Sequence, residues 1–345
     1  MTRGLKIMGI VLLTLLLAVV GAFLWASSGD AYTDGPGPGL LLKGPGRVAP
    51  PEAPTALTVM SFNIGYGRGP AGDYVGPWTR AHVEQHLSGI AEQIAASGAD
   101  LACLQEVDLA AGRSHGIDEA AFLLEKLGWG HGSCVVTWEK NWIPFPYWPP
   151  SKQYGGMKSG SCILSRFPVT RTVRHPLPQP EQPWWRNRFY FQRALDEATV
   201  VVGSSAWTVF NVHLEAFDLE NRHAHAEILR AAVAAAPDPG RVIVAGDFNA
   251  IPGDASPRNG YADEPEMDFT GDATLGRATA GLALVEAFAD ATDPAFSFPA
   301  DAPTRRLDYI FHGRAATTVE ARVLRAPPGP WSDHLPLLAR LRLAP

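Results

Sequence analysis

The stretch RVIVAGDFNAIPGD, Arg241 to Asp254, decides how this chain is read. Val242, Ile243, Val244 and Ala245 form an apolar, β-branched run that reads as a buried strand. Gly246 reads as a break in the run, and Asp247 and Asn249 follow it. A strand that anchors itself in a core and then delivers a carboxylate and an amide needs a reason. Burying either group costs free energy unless it is paired or bound to an ion.

Five other segments repeat the device. VMSFNIG places Asn63 just after an apolar run, and LACLQEVD does the same with Glu106. VFNVHLEAF embeds Asn211 and His213 in a third run. RLDYIF puts Asp308 within a strand, and WSDHLPLLARL sets Asp333 and His334 at the start of the last one. Six such segments point to one polar centre where strand ends converge. Carboxylates and amides are hard oxygen ligands that suit Mg²⁺, Mn²⁺ or Ca²⁺. Histidines beside them can take or stabilise protons. No Gly-rich phosphate loop, G-x-S-x-G or H-E-x-x-H pattern competes with this reading. Oxygen-ligated metal with histidine and carboxylate is a set suited to hydrolysing a phosphate ester.

The rest of the chain supplies the frame. Of 345 residues, 46% are hydrophobic, enough for a sizeable core. The formal net charge of −6 counts against a dedicated nucleic-acid-binding module. Helical spacing of Val83, Leu87, Ile90 and Ile94 predicts a helix ending near Gly98. DEAAFLLEKLG and NRHAHAEILRAAVAAA read as further helices, and GLALVEAFA as a short one. His223 and His225 fall on the polar helix and read as solvated. The many strands with helices between them predict an α/β architecture with two packed sheets.

The N-terminus carries Arg3 and Lys6, then an uncharged run from Ile7 to Trp25 that is long enough to span a bilayer. Asp30 and Asp34 follow it, so the positive-inside rule puts the bulk of the chain outside the cytoplasm. Two readings fit: an uncleaved anchor over residues 1–26, or a signal peptide cut near Ala26 to Ser28. The length of the run favours the anchor. Residues 27–54, rich in Gly and Pro, read as a spacer. Residues 55–345 read as one domain. The three cysteines match no zinc pattern. A bridge between Cys134 and Cys162 competes with the reading of three buried thiols, which is favoured.

SFNIG, LQEVD, GSCILSRFPV, NVHL, GDFNA, LDYIF and SDHLPL, in this order, resemble the motifs of the endonuclease/exonuclease/phosphatase superfamily, the deoxyribonuclease I-like fold. The resemblance implies a four-layered α/β sandwich, with two mixed β-sheets packed face to face and helices outside. It also implies a Mg²⁺-dependent phosphoester hydrolase. Asn63, Glu106 and Asp333 would be the metal region. Asp247 would activate or orient water, and Asn249 would orient phosphate and nucleophile. His334 would hydrogen-bond the phosphate, with Asp308 fixing its tautomer. His213 would be a second catalytic histidine, with its carboxylate partner open. Arg193, in FQRAL, would contact phosphate.

The substrate, nucleic acid or phospholipid headgroup, is not set by these motifs. Two insertions are unusual. TWEKNWIPFPYWPP holds Trp138, Trp142, Phe145, Tyr147 and Trp148; PEQPWWRNRFYFQR holds Trp184, Trp185, Phe189, Tyr190 and Phe191 among arginines. Aromatic and basic residues together suit a membrane interface, base stacking, or plain packing over the core. Lys158 reads as either a surface residue or one that reaches the cleft. The chain is expected to be monomeric, with the lipid bilayer as a partner through its N-terminal helix.

Overall fold

The computed structural model describes residues 3–29, 35–52, 54–70, 78–291, 294–325 and 331–344. Asp30 and Asp34, which entered the orientation of the N-terminal segment, lie outside the described residues, as does residue 53 of the expected spacer. In chain order the elements are α1 (Arg3–Ala26), β1 (Gly37–Pro38), β2 (Leu40–Lys43), β3 (Ala56–Asn63), α2 (Arg80–Ser97) and β4 (Leu101–Asp108). Next come α3 (Glu119–Leu127), β5 (His131–Ile143), β6 (Gly155–Ser165), β7 (Val169–Pro176), α4 (Trp184–Asn187), β8 (Ala194–Val202) and β9 (Ser205–His213). The chain closes with α5 (Leu219–Ala234), β10 (Val242–Asp247), α6 (Thr274–Thr279), β11 (Val285–Glu286), β12 (Asp308–His312), β13 (Ala316–Val323) and β14 (Leu337–Leu343).

The strands form two seven-stranded sheets, in the orders β1-β7-β8-β9-β10-β12-β11 and β13-β14-β3-β4-β6-β5-β2. Each is mixed: β9–β10 and β3–β4 are parallel, and the other pairs are antiparallel. Alternating side chains give every central strand two buried faces. Val59, Leu101, Val209, Ile243, Leu337 and Leu341 fill the space between the sheets. Met60, Ala102 and Leu104 turn outward under α2 and α3, and Phe210, Val212 and Val244 turn outward under α5 and α6. The result is the four-layered sandwich. Buried amides also tie the sheets together. Gln105 Nε2 donates to Asn211 Oδ1 (2.6 Å), and Asn211 Nδ2 donates to the carbonyls of Leu104 and Cys162.

Several local expectations change. The GLALVEAFA segment forms the two-residue strand β11 and turns, not a helix; the nearby helix is α6. The stretch expected as a spacer contributes β1 and β2, which extend one edge of each sheet by pairing with β7 and β5. Gly37 and Leu40 thus satisfy open sheet edges that composition alone could not reveal. Cys134 and Cys162 face each other across β5 and β6 and form a disulfide, so only Cys103 is a free, buried thiol. His223 and His225 are both buried, on different sides of α5: His223 lies against Asp272 and Ala273, and His225 against Glu215 and Pro178. His225 accepts from the Glu215 N–H and its Nε2 meets the Pro178 carbonyl; burial lowers its pKa to about 4.

Candidate active site

The cluster is the polar end of the inter-sheet core. Along β9, Val209, Asn211 and His213 point the same way; along β10, Ile243, Ala245 and Asp247 do so. Register places His213 beside Asp247, and Asp247 beside Asp308 at the start of β12. These three side chains therefore stand in one row across three strands. Val59, Ser61 and Asn63 bring β3 of the other sheet to the same point. Apolar residues four positions earlier on the same faces, Val59, Val209 and Ile243, fix the three arms in the core, which is why the polar tips are so well positioned.

Gly246 is not a break. It continues β10, paired with Val212 on one side and Tyr309 on the other. Its φ is 153°, and a Cβ there would collide with the Val212 carbonyl oxygen. Glycine lets β10 approach β9 closely at the residue before Asp247. After Asp247 the chain turns. Asn249, at φ 49°, donates its N–H to Asp247 Oδ1 (2.8 Å) and its side-chain amide to the Leu214 carbonyl (3.0 Å).

Glu106 reaches the cluster by a different route. Simple alternation would send it outward with Ala102 and Leu104. A bulge interrupts the β4–β6 register between Leu104 and Val107, and Glu106 adopts φ 54°. The bulge re-aims the carboxylate into the cleft, and the left-handed conformation costs on the order of 1–3 kcal/mol.

Asp247 lies at the centre. Its Oδ2 accepts from Asn63 Nδ2 (3.1 Å) and stands 3.5 Å from His213 Nε2 and 3.7 Å from His334 Nε2. Asn63 Nδ2 also lies 3.4 Å from Glu106 Oε1, which is 4.0 Å from His213 Nε2. The carboxylates near His213 are thus Asp247 and Glu106. His334 Nδ1 bonds Asp308 Oδ2 at 2.8 Å, so Asp308 pairs with histidine rather than with Arg305 or Arg306. Asp308 is fully buried behind His334, whereas Asn63, Glu106, Arg193, His213, Asp247, Asn249, Asp333 and His334 all line one cleft of about 710 Å³. Ser332 fastens the last loop by bonding the Asn63 carbonyl (2.8 Å) and Asp333 Oδ1 (3.0 Å).

The electrostatics follow from burial and crowding. Burial raises the carboxyl of Asp247 to about 7; His334 opposes this and Asp308 adds to it. Burial also lowers His213 well below its usual range, helped by Arg193 and then His334. For His334, burial pulls downward, but Asp308 and Asp247 outweigh it and raise the pKa to about 10. Glu106 is raised by burial first and by Asp333 second.

Residues 60–334 match the model of the Endonuclease/Exonuclease/phosphatase family. The chain belongs to this family. Family members are metal-dependent phosphoester hydrolases, and that is the class of this enzyme. Among solved structures, the fold is similar to the endonuclease/exonuclease/phosphatase from Beutenbergia cavernae DSM 12333, with TM-score 0.61 and 24% identity, covering 84% of this chain and 72% of that one. A family protein from Bacteroides thetaiotaomicron gives TM-score 0.55 and 17% identity over 84% and 98% of the two chains. Humanized D. rerio TDP2 gives 0.52 and 15% over 84% and 99%. A comparison with curated proteins finds no match.

The donor set of this Endonuclease/Exonuclease/phosphatase chain fits a divalent cation. Glu106 and Asp333 face the same cleft, and Asp333 adds to burial in disfavouring the ionised Glu106, a cost that a bound cation would relieve. Asp247, Asp308 and His334 also bring ligand atoms within 4.8 Å of one another. That trio is the weaker candidate, because the 2.8 Å bond between His334 and Asp308 already uses the closest pair of atoms.

Two neighbours escaped the sequence reading. Arg68 Nη2 lies 3.8 Å from Glu106 Oε2, and Tyr66 lines the same wall. Their signal was position, since both follow Asn63 in the loop NIGYGR. Arg193 is buried at the cleft with its guanidinium 4.7 Å from the Phe191 ring centroid, and its Nε has no partner among the described residues. Lys158 pairs with Glu139 at 3.1 Å and does not line the cleft. Asp108 is held by Arg113 through two hydrogen bonds in the interior.

Proposed function

We propose that the protein is a Mg²⁺-dependent phosphodiesterase, with Mn²⁺ as a substitute, held on the outer side of the cytoplasmic membrane by α1. The observation that carries the catalytic reading is the placement of Asp247 between Asn63, His213 and His334 at the floor of the cleft. Glu106, Asp333 and Asn63 would hold the cation, which when bound would polarise a phosphoryl oxygen and offset its charge. His334 is cationic at neutral pH and held through Nδ1 by Asp308, so Nε2 is free to donate to a phosphate oxygen. Arg193 adds a second cation for the phosphate. Asp247, positioned by Asn249 and Asn63, orients the attacking water and accepts its proton. His213, neutral at rest because of burial, takes up at Nε2 the proton that Asp247 accepts from water, 3.5 Å away, and passes it to the leaving oxygen.

Two features support the location. α1 is a 24-residue helix with no buried residue, uncharged from Ile7 onward, and Arg3 and Lys6 stand in its first turns. The Cys134–Cys162 disulfide suits an oxidising compartment. The domain is proposed to begin inside the stretch expected as a spacer, at β1, and to act as a monomer.

The pH profile of kcat/KM on bis(p-nitrophenyl) phosphate tests the roles, using the full chain in detergent. Asp247 must be ionised, so activity rises with pH up to about 7. His334 must keep its proton, so activity falls as pH passes about 10. Saturating Mg²⁺ shifts the acid limb downward, because a cation favours ionised carboxylates. A profile that is flat from about pH 5 to about pH 11 contradicts this assignment.

A further inference from the structure

The catalytic cleft has a second wall that the chemistry above does not use. Besides Glu106 and Asp247, the cleft is lined by aromatic side chains of the two insertions, including Trp138, Phe145, Trp185 and Phe189, and by Phe23 of α1. Phe23 packs edge-on against Trp184 (5.8 Å) and Phe189 (5.4 Å). The end of the helix is fixed there as well: the Asn141 N–H donates to the Ser28 carbonyl (2.7 Å), and its side-chain amide donates to the Trp25 carbonyl (2.9 Å). The helix therefore meets the domain at the rim of the cleft.

The rim itself is apolar and unsatisfied. Tyr147 is 77% exposed, Trp148 80%, Trp184 69% and Phe217 75%. Leaving four large rings in water is unfavourable unless something covers them. Trp and Tyr at this height suit the boundary between headgroups and hydrocarbon, and the exposed Arg186 beside Trp185 suits anionic headgroups. A helix of 24 residues is about 36 Å long, enough to cross the hydrocarbon layer. With α1 in a bilayer, its last turn lies at the outer boundary, and the cleft rim lies there with it.

We propose that the cleft takes a membrane phospholipid in place, with the phosphodiester at the Glu106–Asp247 centre and the hydrocarbon chains passing along the aromatic wall, beside Phe23, into the bilayer. This rests on the phosphodiesterase reading and adds the substrate class. Water adds to phosphorus, the P–O bond to the lipid alcohol breaks, and the leaving oxygen takes up one proton. The lipid alcohol stays in the membrane, and the headgroup phosphomonoester leaves into water. Nucleic acid fits less well. Trp138–Phe191 at 79° and Phe145–Tyr154 at 68° are turned edge-to-face, and the stacked pair Tyr190–Phe191 (4.1 Å, 30°) uses its facing surfaces on itself, so these rings are not set out as stacking platforms for bases.

The test uses the full chain reconstituted with Mg²⁺ into vesicles of phosphatidylethanolamine, phosphatidylglycerol and sphingomyelin. Released headgroup phosphomonoesters are measured, with bis(p-nitrophenyl) phosphate as the soluble comparison. Trp148→Ala combined with Trp184→Ala is expected to lower lipid turnover at least about tenfold while soluble-diester turnover stays within about twofold. The retained soluble activity also shows that the variant is folded. Equal turnover of vesicles by variant and wild type overturns the inference. So does a wild type that cleaves the soluble diester, or single-stranded DNA, but no lipid; the phosphodiesterase reading then survives. A wild type inert on every one of these overturns both.

Discussion

Asp247→Asn is expected to lower kcat on bis(p-nitrophenyl) phosphate by about 10³-fold or more, with a melting temperature in EDTA at about pH 8 that is unchanged or higher. Loss of a positioned acid–base group accounts for about 10²–10⁴ in rate, and this carboxylate also organises Asn63, His213 and His334. The stability sign follows from linkage. The folded carboxyl titrates at about 7, above the usual range for an unfolded aspartate. Between those values the folded chain holds a proton that the unfolded chain has released. Stability contributed by this group is therefore present at acid pH and lost as pH rises through about 7. An amide is neutral throughout, so the variant escapes that loss, although it forgoes the attraction to the His334 cation. Thermal scans at about pH 5 and about pH 8 check this. A large fall in melting temperature at the higher pH would make Asp247 a structural residue instead.

Gly246→Ala carries the largest expected effect on stability. The added methyl would overlap the Val212 oxygen and sit 2.7 Å from the Val212 carbonyl carbon and nitrogen, all backbone atoms of a paired strand. No rotamer change relieves such a clash, and φ 153° is a conformation that side chains disfavour. The expected loss is about 4 kcal/mol or more, read by urea denaturation. Gly253→Ala, where nothing lies within 4 Å of an added Cβ, serves as the control and should differ little from wild type. Wild-type stability for Gly246→Ala would mean that β9 and β10 separate easily, and the rigid placement of Asp247 and His213 would have to be given up.

How far the sequence carries can be judged from these same residues. His213, Asp247, Asp308 and Asn63 are legible because each stands at the end of an apolar strand, where a polar side chain has no cheap explanation. Their convergence follows from the period of two, which carries the inward face of each strand out to a polar tip. Glu106 is legible as a polar strand-end residue, but its aim is not. It depends on a bulge and a left-handed φ that no local pattern announces. Gly246 reads as a break because a glycine in a turn and a glycine demanded by a neighbouring backbone look alike in sequence. The burial of His223 and His225 depends on how α5 is rotated against its sheet, and the Cys134–Cys162 pairing depends on the β5–β6 register. The strands at Gly37 and Leu40 form only because distant sheet edges are there to receive them. The aromatic insertions are visible as odd composition, yet their meaning comes from finding Phe23 of the N-terminal helix among them.

The central claim is that the polar strand ends form one metal-holding hydrolytic centre. The direct measurement is hydrolysis of bis(p-nitrophenyl) phosphate by the full chain after EDTA treatment, titrated with Mg²⁺ and repeated with Glu106→Gln. The account predicts no turnover in EDTA, saturable recovery with Mg²⁺ in the wild type, and at least about 100-fold weaker recovery in the variant. Turnover that survives EDTA, or the same Mg²⁺ response from Glu106→Gln, would contradict it.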